Sequence, residues 1–184
     1  MKTESTVKYI LRLTLTLFLI TAVVAGALAG VNTITAPKIA ALNEQKTQEA
    51  IAAVLPGGYD EQITDYADAT GLVTKVYKGA NGYALEVTPS GFDNTITMMV
   101  GVDFEGKVLG ISVVKHTETA GLGAVAAAKT SAGEAFRGQF VSASGSVSVS
   151  KDGGDIDAIT GATITSRAIC VGVNAALDCV AGLG

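Results

Sequence analysis

Three hydrophobic rhythms follow one another along the chain. From Leu13 to Val31 the residues are apolar with few interruptions and carry no charge. As a helix this stretch spans roughly 28 Å, close to the hydrocarbon thickness of a bilayer. Thr35-Ala36-Pro37 then reads as the start of a second helix, with Thr35 as N-cap and Pro37 in the first turn. Ile39, Leu42, Ala50, Ile51, Val54 and Leu55 mark one imperfect apolar face, and Pro56-Gly57-Gly58 stops it. A polar linker is the alternative for this region. From Leu72 the period shortens. LVTKVYKG, GYALEVTP, NTITMMVGVD and KVLGISVVKH are strand-like runs rich in Val, Ile, Thr and Tyr. The turns between them are short, which predicts antiparallel neighbours in a meander. The unbroken apolar run MMVGV predicts a central strand.

Beyond Lys115, Gly121-Leu122-Gly123 reads as a loop, and Ala124 to Lys129 as the start of a short helix. EAFRGQF follows, and then VSASGSVSVSKDGGD, whose alternation of Val and Ser suggests an edge strand. In the last segment Ile169, Val173, Leu177 and Val180 recur at helical spacing, with Thr165 or Ser166 as the expected cap. The expected fold is α+β: one N-terminal transmembrane helix and a stalk helix, then a domain with a mainly antiparallel sheet and a C-terminal helix. The expected boundaries are a basic N-terminus over 1–12, an anchor over 13–34, a stalk helix and linker over 35–71, and the folded domain over 72–184.

Charge adds a direction to this plan. Lys2, Lys8 and Arg12 face a single acid, Glu4, before the apolar run, whereas the chain from Val31 onward holds ten basic and sixteen acidic residues. The positive-inside rule places the N-terminus in the cytoplasm and the domain outside it. A cleaved signal peptide is the competing reading, because Ala27-Leu28-Ala29 forms an A-x-A site. The net charge of −4, with no basic stripe, argues against a nucleic-acid partner. Cys170 and Cys179 would lie on opposite faces of a helix, roughly 13 Å apart along its axis, so they cannot pair with each other. Two Cys and one His make no zinc or iron–sulfur site. No serine sits in a nucleophile-elbow context and no dinucleotide or P-loop motif is present. The chain has no expected catalytic site of its own, so redox chemistry would need a cofactor.

One turn offers a place for one. In DAITGATITS, Asp157 to Ser166, Gly161 permits a tight bend and Ala162 adds no bulk. Thr163 is thereby presented just before a helix N-terminus, where free amides and the macrodipole favour an anion. By itself this pattern also fits a plain turn and helix cap.

Asp157, Thr160, Gly161, Ala162 and Thr163 match the D-x-x-(S/T)-G-A-T flavinylation motif of the FMN-binding domain family. His116-Thr-Glu118-Thr-Ala-Gly121-Leu122-Gly123 resembles that family's H-x-E-T-P-G-L-G loop, with Ala120 in place of the proline. With the N-terminal anchor, nearly the whole chain resembles the G-subunit family of Rnf electron-transport complexes. That family is related to the C subunit of the sodium-translocating NADH:quinone reductase.

The resemblance implies FMN joined by a phosphodiester to the Thr163 hydroxyl by a dedicated flavin transferase. Asp157, Thr160, Gly161 and Ala162 would be the sequence the transferase reads. His116, Glu118, Gly121 and Leu122 would lie near the flavin ring, although His116 also fits a purely structural histidine. It further implies a single-pass protein of the cell (inner) membrane. Its extracytoplasmic domain would carry electrons among other membrane and peripheral subunits of a complex that moves sodium ions or protons. Three rivals remain at this point: the equivalent quinone-reductase subunit, a stand-alone exported flavoprotein, and an anchored binding module without cofactor.

Overall fold

The computed structural model describes residues 3–183, so Met1, Lys2 of the basic head and Gly184 lie outside the described residues. Helix α1 runs Thr3–Val54 with Pro37 inside it. The chain divides into two units, Met1–Gln45 and Lys46–Gly184. The first unit is helix throughout its described length, and from residue 6 onward its side chains are exposed almost without exception. The threonines from Thr14 to Thr35 do not interrupt the apolar helix, because they turn their hydroxyls onto the helix's own backbone. Thr14 donates to the Ile10 carbonyl at 3.0 Å, Thr21 to Leu17 at 3.0 Å and Thr33 to Ala29 at 2.8 Å. Thr35 does the same, donating to the Val31 carbonyl at 2.9 Å. It is therefore not an N-cap, and no second helix begins there. A Ser/Thr–Pro signal is local, and the helix already formed on its N-terminal side overrides it.

In the second unit the last turns of α1 meet a five-stranded sheet. Its strands are β1 (Glu61–Ile63), β2 (Val73–Gly79), β3 (Gly82–Val87), β4 (Thr97–Asp103) and β5 (Val108–Lys115). They lie in the order β1-β2-β3-β4-β5 with every neighbour antiparallel, the meander that the short turns predict. MMVGV falls on β4, which is interior as expected, although the middle place belongs to β3. The α+β class holds, with helix on both faces of the sheet.

Each face has its own core. On one, Ala50, Ile51, Val54 and Leu55 of and just beyond α1 pack on Tyr77, Ala84 and Met99. The approach is close, because Ala84, Gly101 and Gly110 pair across β3, β4 and β5. A Cβ on Gly101 would strike the Val54 carbonyl oxygen. On the other face Leu85, Val87, Met98, Val100 and Val102 meet Ile169, Val173, Ala176, Leu177 and Val180 of helix α3 (Thr163–Ala181). Cys170 and Cys179 are both buried there as free thiols, and burial pushes Cys170 up to about 11. They serve as small apolar side chains.

Two expectations fail in the connecting region. The expected helix start is divided: Gly123–Ala127 is a 3-10 turn, and the short helix α2 follows at Ser131–Gly138. The Val/Ser alternation after it, however, makes no strand, only isolated bridges such as Lys107 with Ser144 and Val149 with Ile156. The reason is a side chain from α3. Asn174 takes the Val147 amide at 2.7 Å and donates to the Val147 carbonyl at 2.9 Å, so that backbone is satisfied without a strand partner. Helix α3 is likewise not capped by Thr165 or Ser166. It begins at Thr163, and its N-cap, Ala162, supplies no side-chain bond.

Candidate functional site

The DAITGAT segment is held by its backbone, with Asp157 and Thr160 exposed and Ala158 and Ile159 turned toward the core. Gln139, just after α2, accepts from the Asp157 amide at 2.7 Å and donates to the Asp157 carbonyl at 3.3 Å. Ser166 Oγ accepts from the Ile159 amide at 3.0 Å and donates to the Ala162 carbonyl at 3.0 Å. Between these fixings the chain bends at Gly161, whose φ of 75° suits glycine best, and the Ala162 amide closes the turn on the Ile159 carbonyl at 2.9 Å. A Cβ on Gly161 would come 3.0 Å from Leu122 Cδ2. The turn thus needs glycine for conformation and gains from it for room.

The bend divides the motif between two hollows. Gly161, Ala162 and Thr163 line a cavity of about 310 Å³ together with Phe92, Glu118, Leu122, Lys151 and Ile164. Asp157 and Thr160 instead line a shallower hollow beside α2 that also includes Gly121 and Phe136. Of the expected flavin-loop residues, Glu118 and Leu122 therefore reach the Thr163 cavity, Gly121 lines the other hollow, and His116 lines neither. His116 Nδ1 is buried and finds no hydrogen-bond partner among the described residues.

Glu118 braces the cavity. It is 7 % exposed, and its two oxygens face different elements. Oε1 accepts from the Phe92 amide at 2.9 Å, in the loop before β4, and Oε2 accepts from Thr165 Oγ1 at 2.5 Å, in the first turn of α3. Gly91 and Gly123 flank it so closely that a Cβ on either would collide with its carboxylate. Thr165, which the sequence suggested as a cap, is instead this carboxylate's partner.

Three apolar side chains around the cavity remain open to solvent: Phe92 at 67 %, Leu122 at 41 % and Ile164 at 51 %. At Thr163, Lys151 Nζ donates to Oγ1 at 3.3 Å. Lys151, Phe92 and Ile164 are site residues that sequence reasoning missed. Phe92 and Lys151 reach the cavity only through tertiary folding, and Ile164 adjoins the motif without belonging to it.

Residues 91–178 match the model of the FMN-binding domain, and residues 1–54 match that of the RnfG N-terminal region. The chain is 33 % identical to the G subunit of the ion-translocating oxidoreductase complex of Methanosarcina acetivorans, covering 94 % of this chain and 95 % of the relative. It is 32 % identical to the G subunit of the Na(+)-translocating ferredoxin:NAD(+) oxidoreductase complex of Acetobacterium woodii, over 93 % and 91 %. The corresponding G subunit of the Yersinia pestis ion-translocating oxidoreductase complex is 36 % identical over 89 % and 87 %.

The cavity residues fit the group that the domain match implies. Exposed apolar walls suit a planar ring system, and a hydroxyl beside an ammonium at a helix N-terminus suits a phosphoryl group. The apolar helix within Thr6–Val54 is long enough to cross a membrane, consistent with a membrane-associated protein. A matching N-terminal region, an FMN-binding domain and relatives aligned over nearly their full length show that the chain belongs to the family of G subunits of ion-translocating oxidoreductase complexes.

Proposed function

We propose that this chain is the membrane-anchored electron-carrier subunit of an Rnf-type ferredoxin:NAD oxidoreductase complex, and that it carries FMN as a phosphodiester on Thr163. The observation that carries the reading is the placement of the Thr163 hydroxyl, on the wall of an apolar-rimmed cavity and at the start of α3. FMN, when bound, supplies one- and two-electron transfer. The chain's own residues do the rest. Phe92, Leu122 and Ile164 would shield the ring, Glu118 would hold two cavity walls together, and Thr163 would fix the cofactor against loss by dilution.

Attachment requires a partner. A flavin transferase would join the flavin phosphorus to Thr163 Oγ while a phosphoanhydride bond of the flavin donor breaks. The remainder of the donor leaves as a nucleotide, and the hydroxyl proton passes to the transferase or to water. Asp157 and Thr160 suit recognition by such an enzyme, since both are exposed, with the Asp157 backbone pinned by Gln139 and Thr160 set between the bonded Ile159 and Ala162. The N-terminal helix would anchor the chain in the cell membrane. Lys8 and Arg12 on its N-terminal side would place that end in the cytoplasm and the sheet domain outside. Further subunits of the complex would be its electron partners.

The test is covalent flavin itself. Full-length protein co-expressed with a flavin transferase should show flavin fluorescence after denaturing electrophoresis and an FMN-sized gain in intact mass, both lost in Thr163→Ala. An unmodified wild type, with the transferase active on a control substrate, would overturn the attachment. Mild-detergent purification should recover the partner subunits, and recovery of the chain alone would favour a stand-alone flavoprotein.

A further inference from the structure

Lys151 lies in a short 3-10 turn, Ser150–Asp152, closed by Gly153 at φ 88°. The turn is tied to the site by its next residue. Asp152 accepts from Arg167 Nε and from a second guanidinium nitrogen, each at 2.6 Å, and Arg167 stands one helical turn after Thr163. This paired contact fixes the turn against the start of α3, and Lys151 is thereby brought to within 3.3 Å of Thr163 Oγ1.

The electrostatics of this arrangement are unbalanced. Lys151 has no salt-bridge partner among the described residues, and the adjacent Asp152 carboxylate is engaged by Arg167. Its hydrogen bond goes to a neutral hydroxyl. That hydroxyl stands at the positive end of a 19-residue helix whose N-cap offers no side-chain acceptor. An ammonium and a helix N-terminus therefore converge on one oxygen that carries no charge of its own.

We propose that Lys151 is the cationic partner of the phosphoryl group carried on Thr163, a role that rests on the attachment proposed above. Esterification of Oγ1 places an anionic phosphodiester where the ammonium and the helix amides already point. Lys151 holds that group in place, and before attachment it favours the approach of the anionic flavin donor. It is a positioning residue toward the transfer, which the transferase performs.

Full-length protein in detergent, with the flavin transferase and its flavin donor, gives two readings. The first is the initial rate of mass gain. Lys151→Gln should load roughly threefold to tenfold more slowly, whereas Lys151→Arg should stay within about twofold of wild type. The second is the 31P resonance of the loaded diester, which should move in Lys151→Gln and stay near its wild-type position in Lys151→Arg. Lys107→Gln, at an exposed lysine paired with Glu105, should change neither. Wild-type loading together with an unmoved resonance in Lys151→Gln would overturn the proposal. Equal loss of loading in the Gln and Arg variants would also overturn it, because a counter-ion is replaceable by another cation. A wild type that acquires no flavin would defeat the underlying attachment, an outcome visible before any variant is made.

Discussion

Helices α1 and α3 are both long and apolar enough to cross a membrane, yet their threonine hydroxyls bond in opposite ways. The window in α1 has a mean hydropathy of 2.2 and none of it is buried, whereas that in α3 has 1.3 and is 67 % buried. In α1, Thr14, Thr21, Thr33 and Thr35 all donate to carbonyls four residues back. Such bonds hide a hydroxyl inside its own helix and ask nothing of the surroundings. In the first turn of α3, Thr163 meets Lys151, Thr165 meets Glu118, and Ser166 receives the Ile159 amide. The threonines are inert in one helix and in the other tie α3 to the Lys151 turn and the Glu118 loop. What separates the two is neighbours, which composition does not record.

The contrast can be broken most decisively at the hydroxyls themselves. Thr163→Ala should abolish covalent flavin, while Thr35→Ala should leave loading unchanged. In-gel fluorescence reads both, and equal loss would erase the distinction between the helices. A large effect on stability is expected at the brace. Glu118→Ala strands the buried Thr165 hydroxyl and frees the Phe92 loop from the cavity wall, and should cost about 1–3 kcal/mol in urea unfolding of the detergent-solubilised chain. Glu118→Gln, which keeps the shape, should cost less. Ser166→Ala removes the acceptor of the Ile159 amide and should cost about 1–2 kcal/mol, whereas Thr21→Val should stay within about 0.5 kcal/mol.

The smallest effect concerns pH. The Arg167 guanidinium beside Asp152 holds its carboxyl below the ordinary value. The pair's stabilisation is thus fully present above the ordinary Asp range, near 3.9, and is lost as pH falls through the lower folded value. Both groups are exposed, so the global unfolding midpoint should barely move. The amide resonance of Gly153 should instead report local loosening of the turn below about pH 4, and Arg167→Gln should remove that response.

The strands were legible because Gly, Asn and Pro punctuate them and β-branched residues fill them. Strand β1 was not, since Glu61–Ile63 is three residues long, mostly exposed, and held by backbone pairing to β2. Thr35-Ala-Pro37 misled because a start signal is read over a few residues, while a helix already running from Thr3 can absorb it. The Val/Ser alternation misled because it carries the period of a strand but not its partner, and Asn174 took the partner's place. At the site, Asp157 to Thr163 could be read because the motif is contiguous. Glu118 was named by its loop, but its bond to Thr165 spans 47 residues of sequence. Lys151 carried no signal at all. Nothing in SKDGGD says that the turn folds back onto the start of α3.

The row formed by Ala84, Gly101 and Gly110 has a mechanical consequence. Where the end of α1 crosses Gly101, the Val54 carbonyl lies directly on the strand, inside a face otherwise filled by side chains. A layer of leucines would yield under load by changing rotamers, but bare backbone has no such slack. Tension applied along residues 46–54 would pass directly into β4 and its hydrogen-bonded neighbours. The missing Cβ at Gly101 makes this joint stiff, and Gly101→Ala, whose methyl would meet the Val54 carbonyl oxygen, should loosen it measurably.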